Sequence, residues 1–402
     1  MEQTGKKKKR VLVYYKDFIS SIGGGRFLPL LFIAELQKTC EVTLALNVVS
    51  DLEPVAKTTG IPLDCSRLKI VQVMPDREFL RKLDFIIPFF RVRQLKKLSR
   101  DADVCISAAN MIDFGKPAHH FVFILSQFGD NAFTDYFRHA PPKKGLALFK
   151  RKLRTFVAEN FLRPLLGVRS PRKIIADPRE HIYPTSRYVS DVIRGYYGPF
   201  NGTVFYPPTI FETTLKDVER FPLQVNYLGR ISQEKCIEDI VLIVEQARKL
   251  SGLDFTLKIA GNLVESPYVD RLKQNVAEKP WIQLLGAAYG EDKERFLLSG
   301  TFAIHAERDE AFGIVITEYL KAGCIPIVPD EGGTGEIVDS PALTYHTNDD
   351  AARILVRLYQ DKAFREEQLA HCMERAGMFS LRAYMESQRR LLEGILAEKE
   401  EK

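Results

Sequence analysis

The feature that most constrains the fold is an alternation, sustained along nearly the whole chain, of short apolar runs with longer amphipathic ones. In the first half the strand-like runs are Val11–Tyr15, Val42–Leu46, Leu68–Val73, Asp103–Ser107 and Phe121–Leu125. Helical patterns lie between them, among them Phe27–Gln37 and the basic stretch Phe79–Leu98. The second half repeats the scheme with Gln224–Gly229, Phe255–Gly261, Ile282–Leu285, Phe302–Ala306 and Ile325–Val328. Strands that alternate with helices imply parallel sheets covered on both faces, so the predicted class is α/β, built twice. At 402 residues the chain is long for one core and comfortable for two domains of roughly 200 residues.

The predicted boundary is Val204-Phe-Tyr-Pro-Pro208, which separates a first domain, residues 1–205, from a second, residues 206–378. Tandem prolines stiffen a connection, and the same fixed torsions also suit a loop that simply finishes a strand. Residues 379–402, with the amphipathic pattern Leu381–Lys399, are predicted to form a helix packing back on the first domain. Two Rossmann-like domains facing across a cleft would bring both carboxyl-end crevices, where open α/β sheets bind ligands, into one gap.

Charge is unevenly spread. Residues 1–200 hold 34 Lys/Arg against 19 Asp/Glu, a net +15, whereas residues 201–402 hold 24 against 33, a net −9. The basic half should attract an anionic surface. Arg91–Arg100 and Lys143–Arg154 interleave cations with Leu, Phe and Val, a pattern that suits either an ordinary solvated helix face or an anionic membrane surface. Nucleic acid is disfavoured, because the interleaved residues read as helix core and not as stacking platforms. The six cysteines (Cys40, Cys65, Cys105, Cys236, Cys324, Cys372) show no Cys-x-x-Cys pair, which argues against zinc or a disulfide framework and for a reducing cytoplasm. The run Lys6–Arg10 precedes only a five-residue apolar strand, so no secretory leader is predicted. No stretch approaches the roughly 20 apolar residues that span a bilayer.

The most informative local feature is Glu310-Ala-Phe-Gly-Ile-Val-Ile-Thr-Glu318. Glu310 precedes a Phe312-Gly313 turn, and Glu318 falls in the helix which that turn opens at Ile314. A helix start exposes unpaired N–H groups and a partial positive charge, which suits an anion. Carboxylates on either side can accept hydrogen bonds from hydroxyls of the same ligand, an arrangement that fits a sugar nucleotide. After Gln224–Gly229 come Arg230 and Lys235, flanking a polar turn. Arginine offers a planar fork and lysine a mobile point charge for phosphate oxygens. Two such cations in a loop are usually just solvated, and only the Glu310/Glu318 pair tips the reading toward phosphate. Gly23-Gly24-Gly25-Arg26 follows the first strand, where Gly24 and Gly25 would let backbone N–H groups approach a phosphate. It is not a Gly-x-Gly-x-x-Gly fingerprint, and Asn47, not an acid, ends the second strand, which weakens a dinucleotide reading.

With these residues in view, the second half resembles the donor domain of GT-B glycosyltransferases of glycosyltransferase family 4, a retaining group. The matching residues are Gly229-Arg230…Glu234-Lys235, Glu310-x7-Glu318 with Phe312-Gly313 inside it, and Glu331-Gly332-Gly333…Glu336-Ile337-Val338. The stretch Glu310–Val338 is most similar to lipid-linked mannosyltransferases of that group, and Tyr206-Pro207-Pro208 agrees. The detailed likeness covers roughly residues 204–340, while the first half matches in layout. The resemblance implies a metal-independent hexosyltransferase that needs no cofactor beyond a nucleotide-diphosphate sugar as co-substrate, with GDP-mannose the first candidate. Arg230 and Lys235 would neutralise the diphosphate and Glu318 would bind the ribose. Glu310 would hold the transferred sugar, helped by the backbone near Phe312, Gly313 and Ile314. The acceptor would be a glycan or lipid-linked sugar on an inner membrane face.

One position departs from the family. A histidine is usual in the loop after the fifth strand, where this chain has Gln127, with Asp130 close by. His119 and His120 fall before that strand and read as structural, and His305 reads as a satisfied core histidine. A soluble transferase acting on a small molecule or glucan, and a donor-binding subunit without turnover, remain alternatives.

Overall fold

The computed structural model describes residues 8–18, 27–74, 87–108, 110–122 and 145–397. The chain divides into two compact units, residues 1–206 with 385–402, and residues 207–384.

In the first unit, β1 (Arg10–Tyr15), β2 (Glu41–Leu46), β3 (Lys69–Gln72), β4 (Val104–Ser107), β5 (His119–Val122) and β6 (His181–Pro184) form one sheet. All pairings are parallel and the order is β3-β2-β1-β4-β5-β6. Every residue of β4 and β5 is buried, as expected of strands covered on both faces of a parallel sheet. The helix Phe27–Leu36 is buried along almost its whole length, and its Phe32 ring lies 4.3 Å from that of Phe121.

The second unit repeats the plan. Its strands are β7 (Phe221–Leu228), β8 (Thr256–Ala260), β9 (Ile282–Gly286), β10 (Gly300–Ile304), β11 (Ile325–Pro329) and β12 (Thr344–Tyr345). Their order is β12-β11-β10-β7-β8-β9, again parallel throughout. In both sheets the strand order reverses beside the first strand, between β1 and β4 and between β7 and β10. This doubly wound order bears out the predicted α/β class.

Two strands escape the sequence reading, β6 and β12. Both are sheet edges and both are short, with no apolar run long enough to stand out. β6 ends in Pro184, whose missing N–H an edge strand tolerates. The strand expected at Phe121–Leu125 begins earlier, at His119. His119 and His120 are therefore strand residues and do not precede the strand. Their role is structural. His120 Nε2 lies 2.8 Å from Glu180 Oε2, and His119 Nδ1 lies 3.2 Å from Tyr183 Oη. Burial, aided by His181, pushes His119 down to about 3, so it stays neutral. Beneath them a buried ion network joins distant segments. Asp113 receives Lys96 at 2.7 Å and Arg169 at 2.9 Å, and Arg169 reaches Glu180 at 2.6 Å.

The basic stretches form helices at Ile87–Ser99 and Gly145–Val157, and a helix spans Leu381–Ala397. Residues 79–86 of the first predicted stretch lie outside the described residues. Among the described residues no helix is long and apolar enough to cross a membrane, and all six cysteines are free.

Candidate functional site

β7 and β10 are neighbours at the reversal point of the second sheet, with Val225 opposite Phe302 and Asn226 opposite Ala303. The loops that leave their carboxyl ends therefore emerge side by side, although they lie far apart in sequence. The first loop is held by Tyr227, whose hydroxyl donates to the Arg230 carbonyl at 3.0 Å. A 3-10 turn, Gln233–Lys235, then enters the helix Ile237–Ser251 through Cys236, a left-handed residue at φ 49°. That tight entry turns Lys235 inward, leaving its side chain only 11% exposed.

Its ammonium meets the second loop. Lys235 Nζ donates to Glu310 Oε2 at 2.5 Å and also to a carboxylate oxygen of Glu307. His305, the first residue past β10, is buried, and its Nε2 stands 3.7 Å from Glu310 Oε2 with no hydrogen-bond partner. The expected satisfied core histidine is thus corrected. Lying just beyond the strand end, the ring joins the loop cluster, while the backbone is engaged on both sides, the N–H donating to the Ile327 carbonyl at 3.0 Å and the carbonyl accepting from Tyr345 Oη at 2.7 Å.

The four groups reshape one another's ionisation. Burial disfavours the charge on Lys235, but Glu310 and Glu307 outweigh it and raise the ammonium above its ordinary range. Burial also opposes ionisation of Glu310, yet Lys235, with His305, holds that carboxyl below the usual range. Glu307 goes the other way. Burial, and then the Glu310 charge, push it up to about 7 against the pull of Lys235. Because the two acids share one ammonium, proton uptake belongs to the pair. Burial pushes His305 down to about 4, with Lys235 acting in the same direction and Glu310 against it. Ligand atoms of His305, Glu307 and Glu310 lie within 4.8 Å of one another, but the Lys235 ammonium already bridges the two acids where a metal cation would compete.

Beside this cluster a helix begins. Gly313 precedes Ile314–Lys321 at φ 90°, with no side-chain cap, so the first N–H groups of the helix lack intrahelical partners. A side chain at Gly313 would lie 2.8 Å from Thr334 Cγ2. The Gly332-Gly333 pair explains how the loop is braced. Gly333 N–H donates to the Glu310 carbonyl at 2.8 Å, and a Cβ on Gly332 (φ 79°) would sit 2.4 Å from the Arg308 carbonyl. Phe312 is buried, with its ring 5.7 Å from that of Phe379. Glu318 is buried one turn into the helix, 2.7 Å from Lys293 Nζ. Burial raises its carboxyl and Lys293 opposes the shift.

Lys235 and Glu310, singled out from sequence, thus touch, and Phe312, Gly313, Ile314 and Glu318 form the adjacent helix start. Arg230 stands apart from the cluster. Its side chain is 71% exposed and pairs with Glu234 at 3.2 Å. Gly24, Gly25, Gln127 and Asp130 lie outside the described residues. The sequence reading missed Glu307, Lys293 and Tyr227. Glu307 was the detectable one, an acid three places before Glu310 and just past the end of an apolar strand.

Residues 215–376 match the family model described as glycosyl transferases group 1. No curated protein sequence matches the chain. Among solved structures, HepE of Anabaena, crystallised in complex with UDP and glucose, superposes with a TM-score of 0.63 at 13% identity, covering 96% of this chain and 100% of its own. WaaG, a glycosyltransferase involved in lipopolysaccharide biosynthesis, gives 0.64 at 12% identity over 96% and 100% of the two chains. The pneumococcal O-GlcNAc transferase GtfA, in complex with UDP and GlcNAc, gives 0.62 at 12% over 98% and 100%. The second unit therefore carries a glycosyl transferases group 1 domain, and the chain as a whole has the two-domain α/β fold of these GT-B glycosyltransferase structures.

Proposed function

We propose that the protein is a retaining hexosyltransferase whose nucleotide-diphosphate sugar binds at the carboxyl ends of β7 and β10. The observation that carries this reading is Lys235, held at the switch point against Glu310 beside the open helix start at Gly313. A diphosphate entering there would draw the ammonium from its carboxylates, recruit the exposed Arg230 and receive N–H groups from Ile314 onward. Glu318 would accept from the ribose hydroxyls. Glu310, freed from Lys235, would hold hydroxyls of the sugar.

Chemistry then consists of diphosphate departure to an oxocarbenium-like transition state, with the developing charge stabilised by preorganised donors. The acceptor hydroxyl attacks from the face the phosphate leaves, and a phosphate oxygen takes its proton, which retains configuration and needs no protein base. On this scheme Gln127 in place of histidine is compatible with turnover. UDP bound in HepE and GtfA supports a nucleoside-diphosphate leaving group. GDP-mannose, favoured by the likeness of Glu310–Val338 to mannosyltransferases, is the first donor to try, and a membrane-associated glycan the first acceptor. Thermal-shift screening against GDP-, UDP- and ADP-sugars tests the reading, since a ligand of the folded state raises apparent stability. One of the three should raise the melting temperature, and no shift with any would refute the proposal.

A further inference from the structure

The helix Gly145–Val157 is basic and carries one stripe of exposed apolar side chains. It continues through a π-helical turn, Ala158–Leu162, into the short turn Arg163–Leu165. Ala158 and Leu162 pack inward on the cluster that contains Phe89, Val92, Leu95 and Phe114. Arg163 fastens this end, with Nε 2.6 Å from Glu159 Oε1, Nη1 2.9 Å from the Arg169 carbonyl, and its guanidinium 5.7 Å from the Phe89 ring.

The outward face is the unusual one. Leu146, Phe149, Leu153 and Phe156 are 67, 63, 51 and 56% exposed, and Phe161 and Leu165 follow at 58 and 80%. The first four recur at three- and four-residue intervals and so form a single stripe. In an uninterrupted α-helix Phe161, five places after Phe156, would fall about 140° away. The π turn inserts an extra residue and returns it to the stripe, where the two rings meet edge-on at 5.8 Å. A backbone irregularity thus keeps an exposed apolar ridge continuous, which serves no purpose for a face meant for water. Soluble proteins seldom leave such a contiguous patch open unless something binds it.

Charge identifies the occupant. On helical spacing Lys150 and Lys152 fall about 40° beyond the two edges of the stripe, where their stems can lie along it and their ammonium groups can spread outward. Both are exposed, as is Arg154, and no acidic residue occurs from Gly145 to Ala158. A second copy docked through this ridge would set these cations against their own equivalents. Nucleic acid offers little to six aliphatic and phenyl side chains. Apolar groups flanked by cations match the acyl boundary and phosphates of an anionic bilayer.

We propose that this ridge docks the protein on anionic membranes, with Leu146, Phe149, Leu153, Phe156, Phe161 and Leu165 entering the acyl boundary and Lys150, Lys152 and Arg154 meeting lipid phosphates. The inference deepens the membrane part of the function proposed above and is independent of the donor site, which lies in the other unit.

The test is flotation of the full chain with vesicles of phosphatidylcholine alone, and with about one part in four phosphatidylglycerol. Binding is expected only to the anionic vesicles. The double variant Phe149→Ser/Phe156→Ser should weaken it at least about tenfold, and Lys150→Gln or Lys152→Gln by about fivefold each. These positions are solvent-exposed, so the variants should fold, as a thermal melt will verify. The chain has a single tryptophan, Trp281. In a Trp281→Phe background, Phe149→Trp gives a local reporter whose emission should shift to the blue and be quenched by brominated lipid. Absence of vesicle binding, unchanged binding by the variants, an unshifted reporter, or a dimer dissolved by Phe149→Ser would each overturn the proposal. Nucleotide-sugar binding by the same preparations separates the two readings. A wild-type chain that binds nucleotide sugar but no anionic vesicle sinks the docking ridge alone, and one that binds vesicles but no nucleotide sugar sinks the donor site alone.

Discussion

Replacing Lys235 by methionine should destabilise the fold in a way that depends on pH. The substitution keeps the stem and removes the cation that, among the described residues, hydrogen-bonds both Glu307 and Glu310. Two carboxylates whose oxygens lie within 4.8 Å are then left in a half-buried cluster. At an effective dielectric near 20 their repulsion is about 3 kcal/mol, in line with the loss seen when one partner of a buried pair is removed. Glu310 is held below its usual range by Lys235, so its contribution is present above the unfolded value and fades as pH falls through the folded one. Without the ammonium, burial raises both acids, and the folded variant carries up to one more proton than the wild type. Its deficit should therefore grow with rising pH by up to about 1.4 kcal/mol per unit. Urea unfolding of both proteins at pH 6 and pH 8 measures this, and Lys235→Met/Glu310→Gln should remove most of the extra pH dependence. Parallel stability curves, or a variant more stable than the wild type at pH 8, would refute the reasoning.

Other consequences are readily tested. Glu307 is pushed up to about 7, so the cluster gains a negative charge as pH rises through that value. Affinity for a nucleotide sugar should fall between pH 6 and pH 8 by roughly three- to tenfold, and Glu307→Gln should flatten the profile, as isothermal titration will show. Gly332→Ala places a methyl group against the Arg308 carbonyl in a left-handed backbone. It should lower unfolding free energy by about 3 kcal/mol and weaken donor binding together, since that glycine braces the Glu310 loop. Burial raises the Glu318 carboxyl, so keeping it ionised works against the fold above its folded value. Glu318→Gln should make the protein more stable at alkaline pH while weakening nucleoside binding, a trade that marks a functional carboxylate.

Much of this architecture is legible in the chain because buried strands such as Arg10–Tyr15 and Ile325–Pro329 betray themselves as short apolar runs, and ten of the twelve strands overlap runs read from the sequence. The two that do not, His181–Pro184 and Thr344–Tyr345, sit at sheet edges and are only four and two residues long. Lys235 and Glu310 could be paired from sequence because their motifs follow strands that the doubly wound order makes adjacent. The roles of Glu307 and Lys293 could not, since each depends on which way a side chain turns after leaving a regular element. His305 shows the limit most clearly. Its strand context predicts a core residue, yet a one-residue overshoot of β10 puts its unpartnered nitrogen beside Glu310. The outward ridge on Gly145–Val157 was visible only as a basic amphipathic pattern. Its continuity required the π turn at Ala158–Leu162, which no sequence periodicity announces.

The most direct test of the central claim is calorimetric. Wild-type protein and Lys235→Met should be titrated with the nucleoside diphosphate of whichever base the screen selects, and with the corresponding nucleoside. The account predicts that the diphosphate binds the wild type more tightly than the nucleoside, and that the variant loses roughly ten- to hundredfold of that advantage while its nucleoside affinity holds. An unchanged diphosphate affinity in the variant, or an equal loss for both ligands, would contradict it.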